Sequence, residues 1–163
     1  MVIQKIESTS SEVPKALALV WQTFLEFEAP DYSEQGIQEF KEFIALSTIR
    51  NKLANEELVL WGFYEEKKLL GVIAVRENNH ISLLFVDKDH HYKGIARKLC
   101  EAAVDYSLKK GNKRITVNSS PYAVTAYHKL GFTPTDKEQS INGIRFLPME
   151  SLLRDKSVNN KKG

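Results

Sequence analysis

The sequence predicts a single layered α/β (α+β) domain, with helices covering both faces of a mixed β-sheet. The first observation is that apolar periodicity alternates between strand-like and helix-like, in the order β-α-α-β-β-β-α-β-α-β. The second is that 163 residues, of which 42% are hydrophobic and 27% charged, suffice for one core and are tight for two. We expect the domain to occupy residues 1–153 and a polar tail to occupy residues 154–163.

The first quarter of the chain is typical of a strand followed by two helices. Residues 2–7 alternate apolar and polar side chains, and Ser10 or Ser11 then offers a helix N-cap. Apolar residues follow at helical spacing, namely Val13, Leu17, Val20, Phe24 and Phe27. Ala29-Pro30-Asp31 ends that helix, and Ser33 is placed to cap a second.

The rest of the chain predicts a three-stranded meander followed by a crossover unit. Short polar turns separate the expected strands at 58–64, 69–76 and 80–86. Later elements are a helix at 94–110, a strand at 114–118, a helix from Pro121 to Gly131 and a strand at 144–149. A strand–helix–strand run of this kind favours a right-handed crossover and a parallel strand pair.

Composition excludes several classes of protein. The net charge is only +2 and the charges are interleaved, so we expect no nucleic-acid partner. The sequence shows no apolar run of membrane-spanning length and no signal-peptide layout, so we expect no membrane association. Cys100 is the only cysteine, which favours a reducing, cytoplasmic location and a packed rather than nucleophilic thiol.

The segment from Ile81 to Leu99 combines features of a phosphate-binding loop. An apolar strand runs into a polar loop, and Gly94 stands at the first turn of the next helix. A helix N-terminus carries unpaired N–H groups and partial positive charge, which suit a phosphate group that can approach closely. Gly94 and Ala96 are small, while Lys93 and Arg97 add cationic character. The alternative is that Gly94 only eases the turn.

This loop resembles the acetyl-CoA signature of the GNAT superfamily of N-acetyltransferases, Gln/Arg-x-x-Gly-x-Gly/Ala. The matching residues are His91-Tyr92-Lys93-Gly94-Ile95-Ala96, with His91 where Gln or Arg is expected. A second GNAT landmark, Asn-x-x-Ala-x-x-x-Tyr-x-x-x-Gly-Phe, is similar to Ser120 through Phe132, with Ser120 at the Asn place. The two motifs occur in the family's order, about 36 residues apart.

The resemblance implies the GNAT fold, a mixed sheet of about six to seven strands with about four helices and splayed fourth and fifth strands. It implies acetyl-CoA as co-substrate and direct acetyl transfer, in a ternary complex, to a primary amine of a small molecule or peptide. The backbone of strand four would pair with the pantetheine arm as an added strand would, with one N–H aimed at the thioester oxygen. The implied coenzyme-binding residues are Leu84, Phe85, Val86, His91, Tyr92, Lys93, Gly94, Ile95, Ala96, Arg97, Ser119, Ser120 and Tyr127.

The resemblance also implies catalytic roles. Tyr127 would protonate the departing thiolate. His80 aligns with the carboxylate that relatives use, near the start of strand four, to deprotonate the amine, and an imidazole is basic enough near neutral pH. Glu77 and Glu28 are the alternative bases, and His80 could equally be an inert turn residue.

The sequence says less about which acceptor the protein binds and whether it forms a dimer than about the coenzyme. Glu28 and Tyr32 belong to an acidic-aromatic patch that would suit a cationic amine, or equally would be a solvated helix end. No metal is expected, because nothing completes a tetrahedral ligand set around the polar loop 87–91. A GNAT-shaped module that binds CoA without turnover is the alternative function. Trp61 and Phe63, interpreted as exposed aromatics, permit a homodimer.

Overall fold

The computed structural model describes residues 1–154 as a mixed sheet with helices on both faces, as predicted. The helices are α1 (Glu12–Phe27), α2 (Glu34–Phe43), α3 (Leu46–Ala54), α4 (Ile95–Lys109) and α5 (Val124–Lys129). The strands are β1 (Val2–Lys5), β2 (Leu58–Glu65), β3 (Lys68–Arg76), β4 (His80–Val86), β5 (Arg114–Ser119), β6 (Thr133–Pro134), β7 (Gln139–Ile141) and β8 (Ile144–Leu152). No helix among these residues is long and apolar enough to cross a membrane.

The sheet separates two hydrophobic cores. Its strand order is β1-β2-β3-β4-β5-β8-β6, with β7 paired to β8. The apolar faces of α1, α2 and α3 cover one side, where Phe24, Leu60 and Leu83 are buried. Helices α4 and α5 cover the other side, where Leu99 and Phe132 are buried. Every strand pair is antiparallel except β4–β5, which is the parallel pair that the crossover predicted.

A β-bulge separates β4 from β5 partway along their length. Ala74 of β3 faces Leu83 of β4, but the next β3 residue faces Ile81, so Ser82 is an extra residue in β4. The bulge reverses the alternation, because Ile81 belongs to the α4-side core and Leu83 to the α1-side core. Parallel pairing with β5 stops at Ile81. This opening is the predicted splay of the fourth and fifth strands.

Several details differ from the sequence prediction. Helix α3 and the short strands β6 and β7 were not predicted, because each is too short to show a clear period in the sequence. Phe63 is not exposed: it is 3% accessible, because β2 lies inside the sheet with both faces covered. Trp61 is half-buried against Tyr106. The predicted polar tail, apart from Arg154, lies outside the described residues.

Candidate active site

The N-terminus of α4 presents an open backbone surface. Gly94 is the N-cap residue and has a φ of 82°, a conformation that glycine adopts without strain. A Cβ atom at Gly94 would meet nothing within 4 Å, so the approach to the first amide groups of α4 is unobstructed. Tyr92, in the same loop, also has a positive φ of 64° and is 98% exposed. These features fit the predicted phosphate cradle.

Of the side chains predicted to bind the phosphates, some are exposed and others hydrogen-bond within the protein. Lys93 is exposed beside the α4 N-terminus. The Arg97 guanidinium instead donates to the carbonyl of Lys129, 2.9 Å away, at the end of α5. The His91 Nε2 atom lies 2.9 Å from the carbonyl oxygen of Val86, the last residue of β4. Of the groups predicted to bind the phosphates, the backbone N–H groups at the start of α4 and Lys93 therefore remain available.

Beyond the bulge, β4 has one paired edge and one open edge. Leu84, Phe85 and Val86 pair with β3. Their other edge faces β5, where β4–β5 pairing has already ended at Ile81. Unpaired backbone groups in this position are suited to bind an extended amide chain as an additional strand. The predicted pantetheine contacts are therefore available in the backbone.

Tyr127 lies on α5, next to the open end of the splay. Its ring is buried and meets Phe132 edge-on at 5.4 Å. Burial raises the pKa of Tyr127, and the charges of Glu28 and the Cys100 thiolate raise it further. None of the side-chain hydrogen bonds within residues 1–154 involves its hydroxyl group. The hydroxyl is thus protonated at neutral pH and keeps its hydrogen-bonding capacity.

Glu28 is the carboxylate that interacts with both Ser120 and the tyrosines of this region. It follows the last residue of α1 and is half-buried. Burial raises the pKa of Glu28 to about 7, although a hydrogen bond from the Ser120 hydroxyl opposes the shift. Ser120 also accepts the N–H of Ala123 at 3.3 Å, which leaves its proton for Glu28. Ser119 is buried behind it and donates to the Ser120 carbonyl at 2.8 Å.

The charge of Glu28 contributes to the raised pKa values of three tyrosines. Burial is the main cause that raises the pKa of Tyr32, followed by Glu28 and Asp31. Burial likewise raises the pKa of Tyr122, with Glu28 among the smaller causes. Together with Tyr127, these tyrosines are the phenols whose pKa values the charge of Glu28 raises. The sequence held a signal for part of this cluster, namely the acidic-aromatic patch that contains Glu28 and Tyr32.

His80 lies at the opposite end of the β4–β5 pair. Its Nδ1 atom is 2.7 Å from the Thr116 Oγ1 atom, and burial, with the Arg76 charge, lowers its pKa to about 4. Thr116 precedes Ser120 by four residues, which is about 13 Å along a strand. Glu77 is exposed at this same end. The structure therefore does not bring His80 or Glu77 to the cluster around Glu28 and Tyr127.

The polar loop after β4 has a local structure of its own. The Asp87 Oδ2 atom lies 2.7 Å from Nδ1 of His90, and this hydrogen bond is the main cause that lowers the pKa of Asp87. Among residues 1–154, no group of three or more His, Cys, Asp or Glu side chains is placed to hold a metal ion.

Comparison with known proteins agrees with this geometry. The family model "Acetyltransferase (GNAT) domain" matches residues 28–153. A GCN5-related N-acetyltransferase from Rhodopseudomonas palustris is 18% identical, with a TM-score of 0.79 over 93% of this chain and 95% of that chain. The PaiA N-acetyltransferase from Thermoplasma acidophilum, solved with coenzyme A, is 19% identical, with a TM-score of 0.77 over 93% and 99%.

More distant structures share the fold as well. An aminoglycoside 6'-N-acetyltransferase complexed with coenzyme A is 12% identical, with a TM-score of 0.69 over 95% of this chain and 98% of that chain. No protein of curated function matches the sequence. The family match covers most of the chain and includes the splayed strands, Gly94 and Tyr127. The chain therefore belongs to the GNAT family of acetyltransferases.

Proposed function

We propose that this protein transfers an acetyl group from acetyl-CoA to a primary amine of a small molecule or peptide. One observation supports the proposal: the Glu28 carboxyl and the Tyr127 hydroxyl, two groups with raised pKa values, are electrostatically coupled, and Glu28 lies beside Ser120, directly after β5. Perturbed pKa values at a cleft are typical of acid–base sites. Since Cys100 is the only cysteine, we place the enzyme in the reducing cytoplasm.

The donor side would be held mainly by backbone groups. The open edge of Leu84, Phe85 and Val86 would pair with the amides of the pantetheine arm, and the first N–H groups of α4 would bind the pyrophosphate. Gly94 fits this role because a side chain there would project into the space that the phosphates need. A backbone N–H of β4 near the bulge would polarise the thioester carbonyl.

Glu28 is the base that the geometry favours. A primary ammonium has a pKa near 10 and must lose a proton before it can attack a carbonyl carbon. A carboxylate whose pKa is about 7 is ionised in part at neutral pH and is basic enough to accept that proton. The His80 imidazole, with a pKa of about 4, is a far weaker base and hydrogen-bonds Thr116. The assignment of His80 as base stays an untested prediction.

The acid and base are electrostatically coupled. The negative charge of Glu28 raises the pKa of Tyr127. When Glu28 takes the proton of the amine it becomes neutral, so the Tyr127 hydroxyl becomes more acidic. The carbon–nitrogen bond forms and the carbon–sulfur bond breaks, and Tyr127 then supplies the proton that the sulfur gains. The first proton of the ammonium ends on Glu28, and the second proton that the nitrogen loses as the amide forms returns to the Tyr127 phenolate. The products are an amide, a free thiol and a protonated Glu28, which releases its proton to solvent.

A measurement of thiol release distinguishes acetyl transfer from CoA binding without turnover. The full chain is mixed with acetyl-CoA and a panel of primary amines, and free thiol is followed with a colorimetric thiol reagent. Release that depends on the amine supports acetyl transfer. Binding of acetyl-CoA by calorimetry without release for any amine would instead indicate a CoA-binding module.

A further inference from the structure

The acceptor side of the site is enclosed by three segments. The α1–α2 junction carries Glu28, and the turn that begins at Ser120 follows β5 and lies beside Glu28. The third segment is the β7–β8 hairpin, which pairs beyond the point where β5 ends, because Ser119 already pairs with Leu147. The hairpin therefore projects past the end of β5, towards the helices.

The hairpin and the α1–α2 junction touch through their backbones. The Ser33 N–H donates to the Gly143 carbonyl at 3.0 Å. A Cβ atom added to Gly36 would lie only 2.8 Å from the same oxygen, so both chains approach as closely as glycine allows. Arg145 of the hairpin also lies 3.7 Å from Asp31. This side leaves no gap for a polypeptide strand to pass between the two segments.

Aromatic rings line the side of the acceptor region that adjoins the coenzyme loop. Phe27, the last residue of α1, stacks on Tyr122 with ring centroids 5.2 Å apart and an interplanar angle of 26°. The His91 ring lies 5.1 Å from Phe27. Tyr122 is 48% exposed and Tyr92 is 98% exposed, so aromatic surface is accessible there. The rings bridge α1 and the segment after β5, above Glu28 and Ser120.

The acceptor region is negatively charged, and the charge of Glu28 is not neutralised by a cationic side chain among the described residues. Within residues 1–154, Glu28 forms no ion pair with a lysine or arginine. Glu26, two residues earlier, has a single contact with Lys88 at 4.0 Å, between exposed side chains. A cationic amine would therefore find one half-buried carboxylate next to a set of aromatic rings, a combination that favours cation–π and stacking contacts.

We propose that the acceptor is a small primary amine on a flat aromatic body, an arylalkylamine, which enters past Phe27 and Tyr122 and points its nitrogen at Glu28. The contact between the hairpin and α2 excludes a lysine side chain carried within an extended polypeptide. This inference rests on the proposed acetyl transfer and narrows its acceptor class.

The test compares three acceptors with the full chain and saturating acetyl-CoA: phenethylamine, n-butylamine and a blocked-end peptide with one internal lysine. We expect kcat/KM to be about ten-fold higher for phenethylamine than for n-butylamine, and thiol release with the peptide to be undetectable. Phe27→Leu and Tyr122→Leu should each lower kcat/KM for phenethylamine by a factor about three- to ten-fold larger than any loss for n-butylamine. Tyr106→Leu on α4, which alters an aromatic pair with Trp61, is the matched control and should change neither.

The outcomes distinguish the two proposals. Release of thiol with all three acceptors at similar efficiency would overturn the acceptor class and leave acetyl transfer intact. Equal loss for phenethylamine and n-butylamine in the Phe27 and Tyr122 variants would also overturn it, because the rings would then serve only the fold. No release with any amine would overturn acetyl transfer itself, and the acceptor class with it.

Discussion

The two ends of the β4–β5 pair use buried polar groups in opposite ways. At the closed end, Asn79 accepts a hydrogen bond from Ser107, donates to the carbonyl of Arg114 and accepts from the N–H of Thr116 through its own carbonyl. His80 completes this end through Thr116. The polar groups there are paired within the protein, and they fix β4 to β5 and to α4.

At the open end, beyond the bulge at Ser82, the polar groups are left available. The Tyr127 hydroxyl makes no side-chain hydrogen bond within residues 1–154, and Glu28 has only the Ser120 hydroxyl beside it. The same two strands thus provide a satisfied network at one end and unpaired acid–base groups at the other. The comparison shows that burial and a shifted pKa occur at both ends; spare hydrogen-bonding capacity is what separates Glu28, the proposed base, from His80.

The largest expected effect is that of removing the Glu28 carboxylate. Glu28→Gln keeps the size of the side chain but cannot accept the amine proton, so kcat/KM should fall about 1,000-fold. Steady-state thiol release measures this effect. Glu12→Gln, at the other end of α1, is the control and should retain wild-type activity. A loss of less than ten-fold for Glu28→Gln would be inconsistent with its role as the base.

Removing the Tyr127 hydroxyl should have the next largest effect. Tyr127→Phe should lower kcat about 100-fold, because the departing sulfur loses its proton donor. The melting temperature should stay close to that of the wild type, since the ring still packs on Phe132. Tyr64→Phe, which removes a hydroxyl bound to Glu12 at 2.7 Å, is the control and should leave kcat unchanged. Wild-type kcat in Tyr127→Phe would remove this residue from the mechanism.

Gly94 offers a sharper test of the phosphate cradle, because Gly111 is its structural twin. Both have a positive φ, 82° and 83°, and a Cβ atom added at either position would meet nothing within 4 Å. Alanine at either position should cost about 1 kcal/mol in stability through backbone strain. Only Gly94→Ala should also raise the KM for acetyl-CoA, by about five- to ten-fold, because its methyl group enters the phosphate approach. Equal KM values for the two variants would place the pyrophosphate elsewhere.

The smallest effect on catalysis is expected at the closed end. His80→Gln should change kcat less than about three-fold, whereas a lost general base costs about 100-fold or more. Thr116→Val removes the same hydrogen bond while it leaves the imidazole in place, and it should cost about 1 kcal/mol in free energy of unfolding. If His80→Gln abolishes activity and Thr116→Val does not, His80 is the base and the comparison of the two ends fails.

Sequence alone could predict the fold and the donor side because both depend on local patterns. The helix start at Gly94, the strand before it and the position of Tyr127 within α5 follow from spacing and turn residues. The bulge at Ser82 could not be predicted, since the residues of β4 alternate in a way that looks regular in the sequence. Only the register with β3 reveals the extra residue.

The acceptor side was less predictable because its residues meet only in three dimensions. Glu28 and Ser120 are separated by most of the chain, and no local pattern brings them together. Glu28 was recognised as an alternative base, but its elevated pKa depends on burial that only the folded chain creates. The contact between Ser33 and Gly143 is equally long-range. Sequence therefore indicated the acetyltransferase family more clearly than the long-range contacts around Glu28.

The most direct test of the account is the pH dependence of kcat/KM for the wild type and Glu28→Gln. Because burial raises the pKa of Glu28 to about 7, the base is protonated and inactive below that pH, and the rate should rise as pH increases through about 7. Glu28→Gln should lose this limb and keep only the rise caused by deprotonation of the amine itself. A limb near pH 4, where His80 titrates, or a limb near pH 7 that persists in Glu28→Gln, would contradict the account.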